Sequence, residues 1–399
     1  MSNMATRITD RGYSRRDRDA LKVLAGGILG MVVAMGIGRF AYTPILPLML
    51  RDLEMTNTLG GWLAGLNYLG YFIGAVVCTI NPRILNSRNI AGGALLLSLA
   101  TTVFMGATIS QFWWGIMRLC GGISSAVLFI VISAQVAETL VRRGYGHWMG
   151  ALYGGIGLGI VISGLIVPQL DKAGGWNFAW IGMGIIAIIL ALMGIALGWK
   201  SAQTKVTTSG LTKPAAGLGK IRILAAAYFL EGLGYIVTAT FIVTVISMTP
   251  GLETLAPYSW VAVGLSAIPS AIIWTHLARR IGNRKTLLAA YALQAAGILV
   301  SVQAETTAEV LFAAVTFGGT FLGIVAVTLA EGKSRMGREG GLSAAFLTAS
   351  FSVGQMLGPV IAGRLADWQD GFALPLLLAA ISVILGGVLI AVDRNFSTQ

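Results

Sequence analysis

Twelve apolar runs of about twenty residues each, parted by short polar segments, occupy nearly all of this 399-residue sequence. A helix needs a run of that length to cross the roughly 30 Å hydrocarbon layer of a bilayer. In lipid, only helices and closed barrels satisfy their own backbone hydrogen bonds. The runs fall at 21–50, 57–80, 89–109, 111–139, 145–169 and 176–199, then at 221–248, 256–279, 286–304, 307–331, 340–366 and 372–392. The expected fold is an all-α membrane protein, with twelve transmembrane helices in two pseudo-symmetric six-helix bundles. Composition excludes a soluble domain: 56% of residues are hydrophobic and 11% charged, against about 25% charged in an ordinary soluble protein. The 53 glycines suit helices that must approach closely without a hydrophobic drive between them.

Charge sets the expected topology. With the N-terminus placed inside, 23 of the 28 lysines and arginines fall on one side of the membrane. They include Arg83 and Arg88, Arg142 and Arg143, five between Lys200 and Arg222, Arg279, Arg280, Arg284 and Lys285, and Lys333, Arg335 and Arg338. Asp52, Glu54, Asp171, Glu253, Glu305, Glu309 and Asp370 fall on the other. The asymmetry predicts a multi-pass protein of the bacterial inner membrane with both termini cytoplasmic. The same placement argues against nucleic acid as the reason for a net charge of +12, since no basic stripe with interleaved aromatics exists. Lys200 to Lys220, the longest internal polar stretch, reads as a linker. The expected organisation is a cytoplasmic tail (1–20), an N-terminal bundle (21–199), a linker (200–220), a C-terminal bundle (221–393) and a short cytoplasmic tail (394–399). Leu21 to Leu50 is too long for a signal-peptide core and reads as a retained first helix. Cys78 and Cys120 both lie in apolar runs, so neither a disulfide framework nor a metal site is expected. No cofactor is implied, and a monomer in the lipid bilayer is the expected state.

An internal repeat supports the two halves. Met35-Gly36-Ile37-Gly38-Arg39-Phe40 aligns with Glu231-Gly232-Leu233-Gly234-Tyr235-Ile236, and the fourth and tenth runs both end in Ala-Glu, at Ala137-Glu138 and Ala330-Glu331. Thr275 to Lys285, with Arg279, Arg280, Gly282 and Arg284, resembles the loop motif of the major facilitators, and Gly74 to Arg88 is a more degraded copy. Arg118-Leu119-Cys120-Gly121-Gly122 is similar to the family's fourth-helix R-x-x-x-G motif. Gly354-Gln355-Met356-Leu357-Gly358-Pro359 resembles the glycine–proline pattern that antiporters usually carry in the fifth helix; here it stands in the eleventh. The stretch from Gly36 to Met49 resembles the opening helix of the YbfB/YjiJ-type branch of the major facilitator superfamily. The resemblance spans nearly the whole chain and implies a secondary transporter that rocks two bundles around a central site. For Arg118 it implies a part in proton coupling or cavity electrostatics.

Ionisable residues deep in apolar helices are the sharpest candidates, because an arginine at mid-membrane costs about 2.5–3.5 kcal/mol and normally faces a cavity or a partner. Arg39, Glu231 and Arg118 are the three. Arg39 is expected to line a cavity and hold an anionic or polar group. Glu231 aligns with Met35, four residues before Arg39, so the two are expected to approach across the halves, either as a proton-titrating couple or as a permanent ion pair. Tyr42, Asn67, Tyr235 and Gln355 are further candidate substrate or coupling residues, with Tyr71, Tyr153, Thr238, Thr316 and Thr348 at similar depth. Gly36, Gly38, Gly122, Gly354, Gly358 and Pro359 are expected to serve close packing and rocking. No catalytic residues are expected, since no nucleophile–base set or metal-ligand cluster shares one depth. Gly36 to Ala41 fits a dinucleotide fingerprint formally, but no strand precedes it, and Gly332-Lys333-Ser334 lacks the first glycine of a P-loop. The expected function is secondary, proton-coupled transport of small organic solutes, with export favoured by the glycine–proline pattern. Import of an organic anion or sugar-like solute by a symporter or uniporter, and a non-transporting receptor or assembly factor, stand as alternatives.

Overall fold

The computed structural model describes residues 15–81, 84, 87–198, 218–337 and 340–396. The first fourteen residues, Arg83, most of the linker (with Lys200, Lys205 and Lys213), Arg338 and the last three residues lie outside the described residues. Among the described residues the protein is helical, with no strand. The helices are α1 (Arg15–Met31), α2 (Tyr42–Leu53), α3 (Asn57–Ile80), α4 (Arg88–Met105), α5 (Gln111–Arg142) and α6 (Met149–Ala196). They are followed by α7 (Arg222–Ser247), α8 (Ala256–Ile281), α9 (Asn283–Ser301), α10 (Thr307–Met336), α11 (Gly340–Gln369) and α12 (Ala373–Val392).

Ten segments among the described residues are long and apolar enough to cross a membrane. The first, Arg18–Leu53, joins α1 to α2 through a π-helical segment, Val32–Ile37, and a turn at 38–41. Pro44, in the first turn of α2, accounts for the restart there. A proline is tolerated where its missing N–H has no helical partner anyway, but clashes with the carbonyl four residues back in a continuing helix. The runs expected at 145–169 and 176–199 appear as the two helical arms of α6, which part at Gly174 and at Gly175, whose φ of 79° favours glycine. A straight helix would hold residues 170 and 182 about 18 Å apart. Instead a methyl at Gly182 would lie 2.6 Å from the Leu170 side chain, so the chain doubles back on two glycines. The nineteen-residue α9 is not among the ten segments: Asn283, Arg284, Lys285 and Gln294 dilute its apolar character.

Helix packing before residue 200 recurs after it. Contacts of α3 with α5, α1 with α6 and α4 with α5 have counterparts in α8 with α10, α7 with α11 and α9 with α10. The two sets of helices meet where α3 packs on α11, α6 on α8 and α2 on α7. Glycines make the closest crossings. A methyl at Gly264 of α8 would sit 2.7 Å from the Gly157 carbonyl oxygen of α6, and one at Gly358 of α11 would sit 2.6 Å from the Leu233 carbonyl oxygen of α7.

Beneath α10, at the end of the molecule that carries the 8–9 and 10–11 loops, a buried ion cluster gathers four chain segments. Arg335 Nε meets Glu331 Oε1 at 2.7 Å and Arg335 Nη1 meets Asp393 Oδ2 at 2.6 Å, with side-chain exposures of 4%, 6% and 0%. Arg335 also donates to the Lys220 carbonyl (3.0 Å), Asn283 donates to Glu331 (2.7 Å), and Phe396 lies under the guanidinium. Arg284 donates to the Ala391 carbonyl. The corresponding Arg142–Glu138 pair is loose, at 3.9 Å, with Arg142 67% exposed. Removing one member of a buried pair leaves an uncompensated charge. Arg335→Ala, which strands the buried Glu331 and Asp393 carboxylates together, is therefore expected to cost about 3–5 kcal/mol, and Arg142→Ala under about 1 kcal/mol, read as thermal unfolding midpoints of the detergent-solubilised protein.

Candidate substrate cavity

A cavity of ≈ 360 Å³ opens between the two sets of helices. The break between α1 and α2 contributes Met35, Arg39 and Phe40, and α3 contributes Tyr71 to Ile80. Across from them stand Tyr228 and Tyr235 of α7, Phe321 of α10, and Phe351 and Gln355 of α11. The cavity runs toward the basic end, where Thr79, Ile80, Leu329 and Gly341 line it. The other end is shut. Thr43 donates to the Ala239 carbonyl at 2.6 Å, and Gly61 lets α3 lie against the backbone of Pro359. The Asp367 carboxylate accepts from the Asn57 backbone (2.9 Å), the Asn57 side chain (2.9 Å) and the Thr58 backbone (2.7 Å). A carboxylate at a helix N-terminus meets unpaired N–H groups and the positive end of the helix dipole. Beyond Thr43 lies a second cavity of ≈ 630 Å³, lined in part by Arg51, Asp171, Thr244 and Glu253. Arg51 holds Asp171 through both carboxylate oxygens, at 2.9 and 3.3 Å.

Arg39 is 3% exposed and lines the inner cavity. The π segment before it shifts the register of the following residues from that of an unbroken helix. Its guanidinium carbon lies 4.5 Å from the Tyr68 ring centre and 4.3 Å from that of Tyr71. Contacts of this kind contribute about 0.5–2 kcal/mol each and offset part of the cost of burial. Among the described residues Arg39 has no carboxylate partner, and Nε and Nη2 have no hydrogen-bond acceptor. The facing wall is a stack of rings: Tyr235 lies nearly parallel to Phe351 (5.2 Å) and Phe321 (6.1 Å), and Tyr228 to Phe351 (4.2 Å). Gln355 donates to the Tyr235 hydroxyl.

Glu231 does not meet Arg39. It is 1% exposed and absent from the cavity wall, and its Oε1 accepts from Gln294 of α9 at 2.7 Å. Gln294 Oε1 in turn accepts from Thr320 of α10 at 2.8 Å, while Glu231 Oε2 has no partner. Met35, its counterpart in the repeat, does line the cavity. Helical spacing places a residue within a broad stripe, and the polar side chain behind α7 decided where Glu231 turned. Arg118, Tyr42 and Asn67 likewise stand outside the wall and form one buried cluster. Arg118 Nε donates to the Leu63 carbonyl (3.3 Å), its guanidinium covers the Tyr42 ring (4.2 Å), and Asn67 donates to the Arg118 carbonyl (2.9 Å). The Tyr42 hydroxyl donates to the Gly60 carbonyl at 2.8 Å. Of the expected site residues, Arg39, Tyr235 and Gln355 share the cavity, together with Tyr71 and Thr348. Tyr228, Phe321 and Phe351 were not expected. The seven-residue spacing of Tyr228 and Tyr235 marks one helix face and is the signal that points to the first of them.

The expected packing residues sit at close contacts. Gly36 faces Gly159 of α6, where a methyl would come 3.1 Å from the Gly159 carbonyl carbon, and Gly38 lies beside Ser98. Gly354 packs on α7 and Gly122 on the Asn67 backbone of α3. Gly282, with φ 85°, turns the chain from α8 into α9, while Arg279 and Arg280 are exposed at the end of α8. Gly122→Ala is expected to part α3 from α5 at a cost of about 1–3 kcal/mol. Gly92→Ala, where a methyl would meet nothing within 4 Å, should be neutral or stabilising by about 0.4–1 kcal/mol. Thermal unfolding of the two variants checks the contrast.

Comparisons with known proteins agree with this architecture. The sequence is 22% identical over 275 residues to the "Uncharacterized MFS-type transporter YceJ" of Bacillus subtilis (strain 168), covering 67% of this chain and 69% of that protein. The fold is similar to crystal structures of the nucleoside transporter NupG. The wild-type form has a TM-score of 0.73 at 13% identity, over 94% of this chain and 99% of that one. An aspartate-to-alanine mutant has a TM-score of 0.74 at 11% identity, over 94% and 100%. Residues 31–391 match the family model described as "Uncharacterised MFS-type transporter YbfB", and the chain belongs to that family of major facilitator transporters rather than to any class of enzyme.

Proposed function

We propose that the protein is a proton-coupled secondary transporter of small organic solutes, working by alternating access. It crosses the membrane twelve times: the two arms of α6 and the short α9 each count as crossings beside the other helices. The halves 21–199 and 221–393 act as rigid bundles joined by the linker at 200–220, with both termini in the cytoplasm. The observation that carries this reading is the cavity at Arg39, closed at the Thr43–Ala239 contact and extending toward the basic end. A second cavity waits beyond that contact. Two cavities on either side of the Thr43–Ala239 contact suit rocking of two bundles, and the Arg39 cavity is the one proposed to face the cytoplasm. The direction proposed is export.

Glu231 is the proposed proton carrier. Hydrogen bonds run in one sense, from Thr320 to Gln294 to Glu231 Oε1, and leave Oε2 as the position for a proton. An ionised carboxylate buried without a cation costs several kcal/mol, so its charge state and the packing of α7 on α9 and α10 depend on each other. Such dependence couples protonation to helix movement without direct contact between Glu231 and Arg39. In proteoliposomes, Glu231→Gln is expected to keep solute exchange and lose the response of the rate to pH. An unchanged pH response rules Glu231 out as the carrier.

A further inference from the structure

Three features of the Arg39 cavity specify a ligand more narrowly than "small organic solute". The two guanidinium nitrogens without a partner are Nε and Nη2. These two share one edge of the guanidinium plane and present parallel N–H groups, the fork that a carboxylate accepts with both oxygens. The rings of Tyr68 and Tyr71 lie against the same group, with their centres 4.5 and 4.3 Å from its carbon. The unmet demand is on the Nε–Nη2 edge. Solvent does not meet it either, because both nitrogens are shielded; an acceptor arriving with a ligand reaches them after a shift of the neighbouring side chains.

Charge gives the second restriction. Arg39 is the charged side chain among the described residues lining the cavity, and Glu231 stands off the wall, bonded to Gln294. One negative charge on the ligand pairs with Arg39, and a second would meet no further cation among the described residues of the wall. The third restriction is the opposite wall. Tyr228, Tyr235, Phe321 and Phe351 offer stacked rings, and the Gln355 amide beside them already donates to Tyr235. A polyhydroxylated solute would lose its water there without gaining partners, while an aromatic or alkyl body would gain contact area and ring stacking. The volume of ≈ 360 Å³ falls in the range of small-molecule sites, about 300–1,000 Å³.

We propose that the cavity binds an organic monocarboxylate with an aromatic or apolar body, its carboxylate seated on the Nε–Nη2 edge of Arg39 and its body against the rings of α7, α10 and α11. This assignment rests on the reading of the cavity as the transport site.

Calorimetric titration of the purified full chain in detergent tests it with 4-phenylbutyrate, 4-phenylbutyramide, 4-phenylbutylamine and acetate. The phenylbutyrate is expected to bind at least about tenfold tighter than the amide and acetate, and tighter still than the amine. Arg39→Gln should erase the preference for the acid over the amide, and Arg39→Lys, which keeps the charge without the fork, should leave it intermediate. Equal or tighter binding of the amide or amine by the unaltered protein overturns the proposal, and this result needs no variant to fold. Acetate binding as tightly as phenylbutyrate overturns the assignment of the ring wall. Counterflow in proteoliposomes separates this proposal from transport itself. Selective acid binding without counterflow supports the ligand class and removes the transport reading. Counterflow of the amide or amine but not the acid keeps transport and overturns the ligand class.

Discussion

Every feature of this molecule answers to one constraint: inside lipid, a polar group must find its partner within the protein. Backbone groups meet the requirement by forming helices, and helices then gain nothing hydrophobic from touching one another. Cohesion has to come from contact at short range, and glycine supplies it. The Gly157–Gly264 crossing between α6 and α8, the Gly122 contact of α5 on α3 and the Gly354 and Gly358 contacts of α11 on α7 bring backbone against backbone. Small residues hold the two halves in the same way that they hold each half together. A sliding or rocking surface built from backbone has few long side chains to unlock.

The same constraint makes the buried charges informative. At the basic end, Arg335 is met by Glu331, Asp393 and a backbone carbonyl. In the interior, Arg118 donates to a carbonyl and covers a tyrosine. Arg39 is surrounded by rings and keeps one edge unsatisfied, and Glu231, in the other half, keeps one oxygen unsatisfied. Arg335 too keeps one nitrogen, Nη2, without a partner, but two carboxylates meet its charge, whereas the charges of Arg39 and Glu231 have no ion partner among the described residues.

Much of the fold was legible from hydropathy alone, because a membrane helix must be apolar along its whole length. Predicted spans and observed helices agree to within a few residues at α3, α8 and α12. The reversal at Gly174–Gly175 falls in the gap expected between 145–169 and 176–199, where Asp171, Lys172 and the two glycines interrupt the apolar run. One feature escaped that reading. The break between α1 and α2 lies inside one apolar run, where only Pro44 hints at it. The cavity was legible at Arg39, Tyr235 and Gln355, since each is polar within an apolar run. Its aromatic wall was not, because a phenylalanine facing a cavity reads the same as one facing lipid. Glu231 and Arg118 were equally conspicuous, yet each turns to a partner outside the cavity, Gln294 for one and the Leu63 carbonyl for the other. Sequence marks which groups need a partner more clearly than it marks who provides it.

The clasp at the shut end of the cavity is lopsided in its chemistry. On α11 it is one carboxylate; on α3, two of its three bonds come from main-chain amides. Peptide N–H groups belong to every residue except proline, so nearly any residue at position 58 presents the same donor. Drift at position 58 is thereby silent, whereas all three bonds end on the one side chain of Asp367.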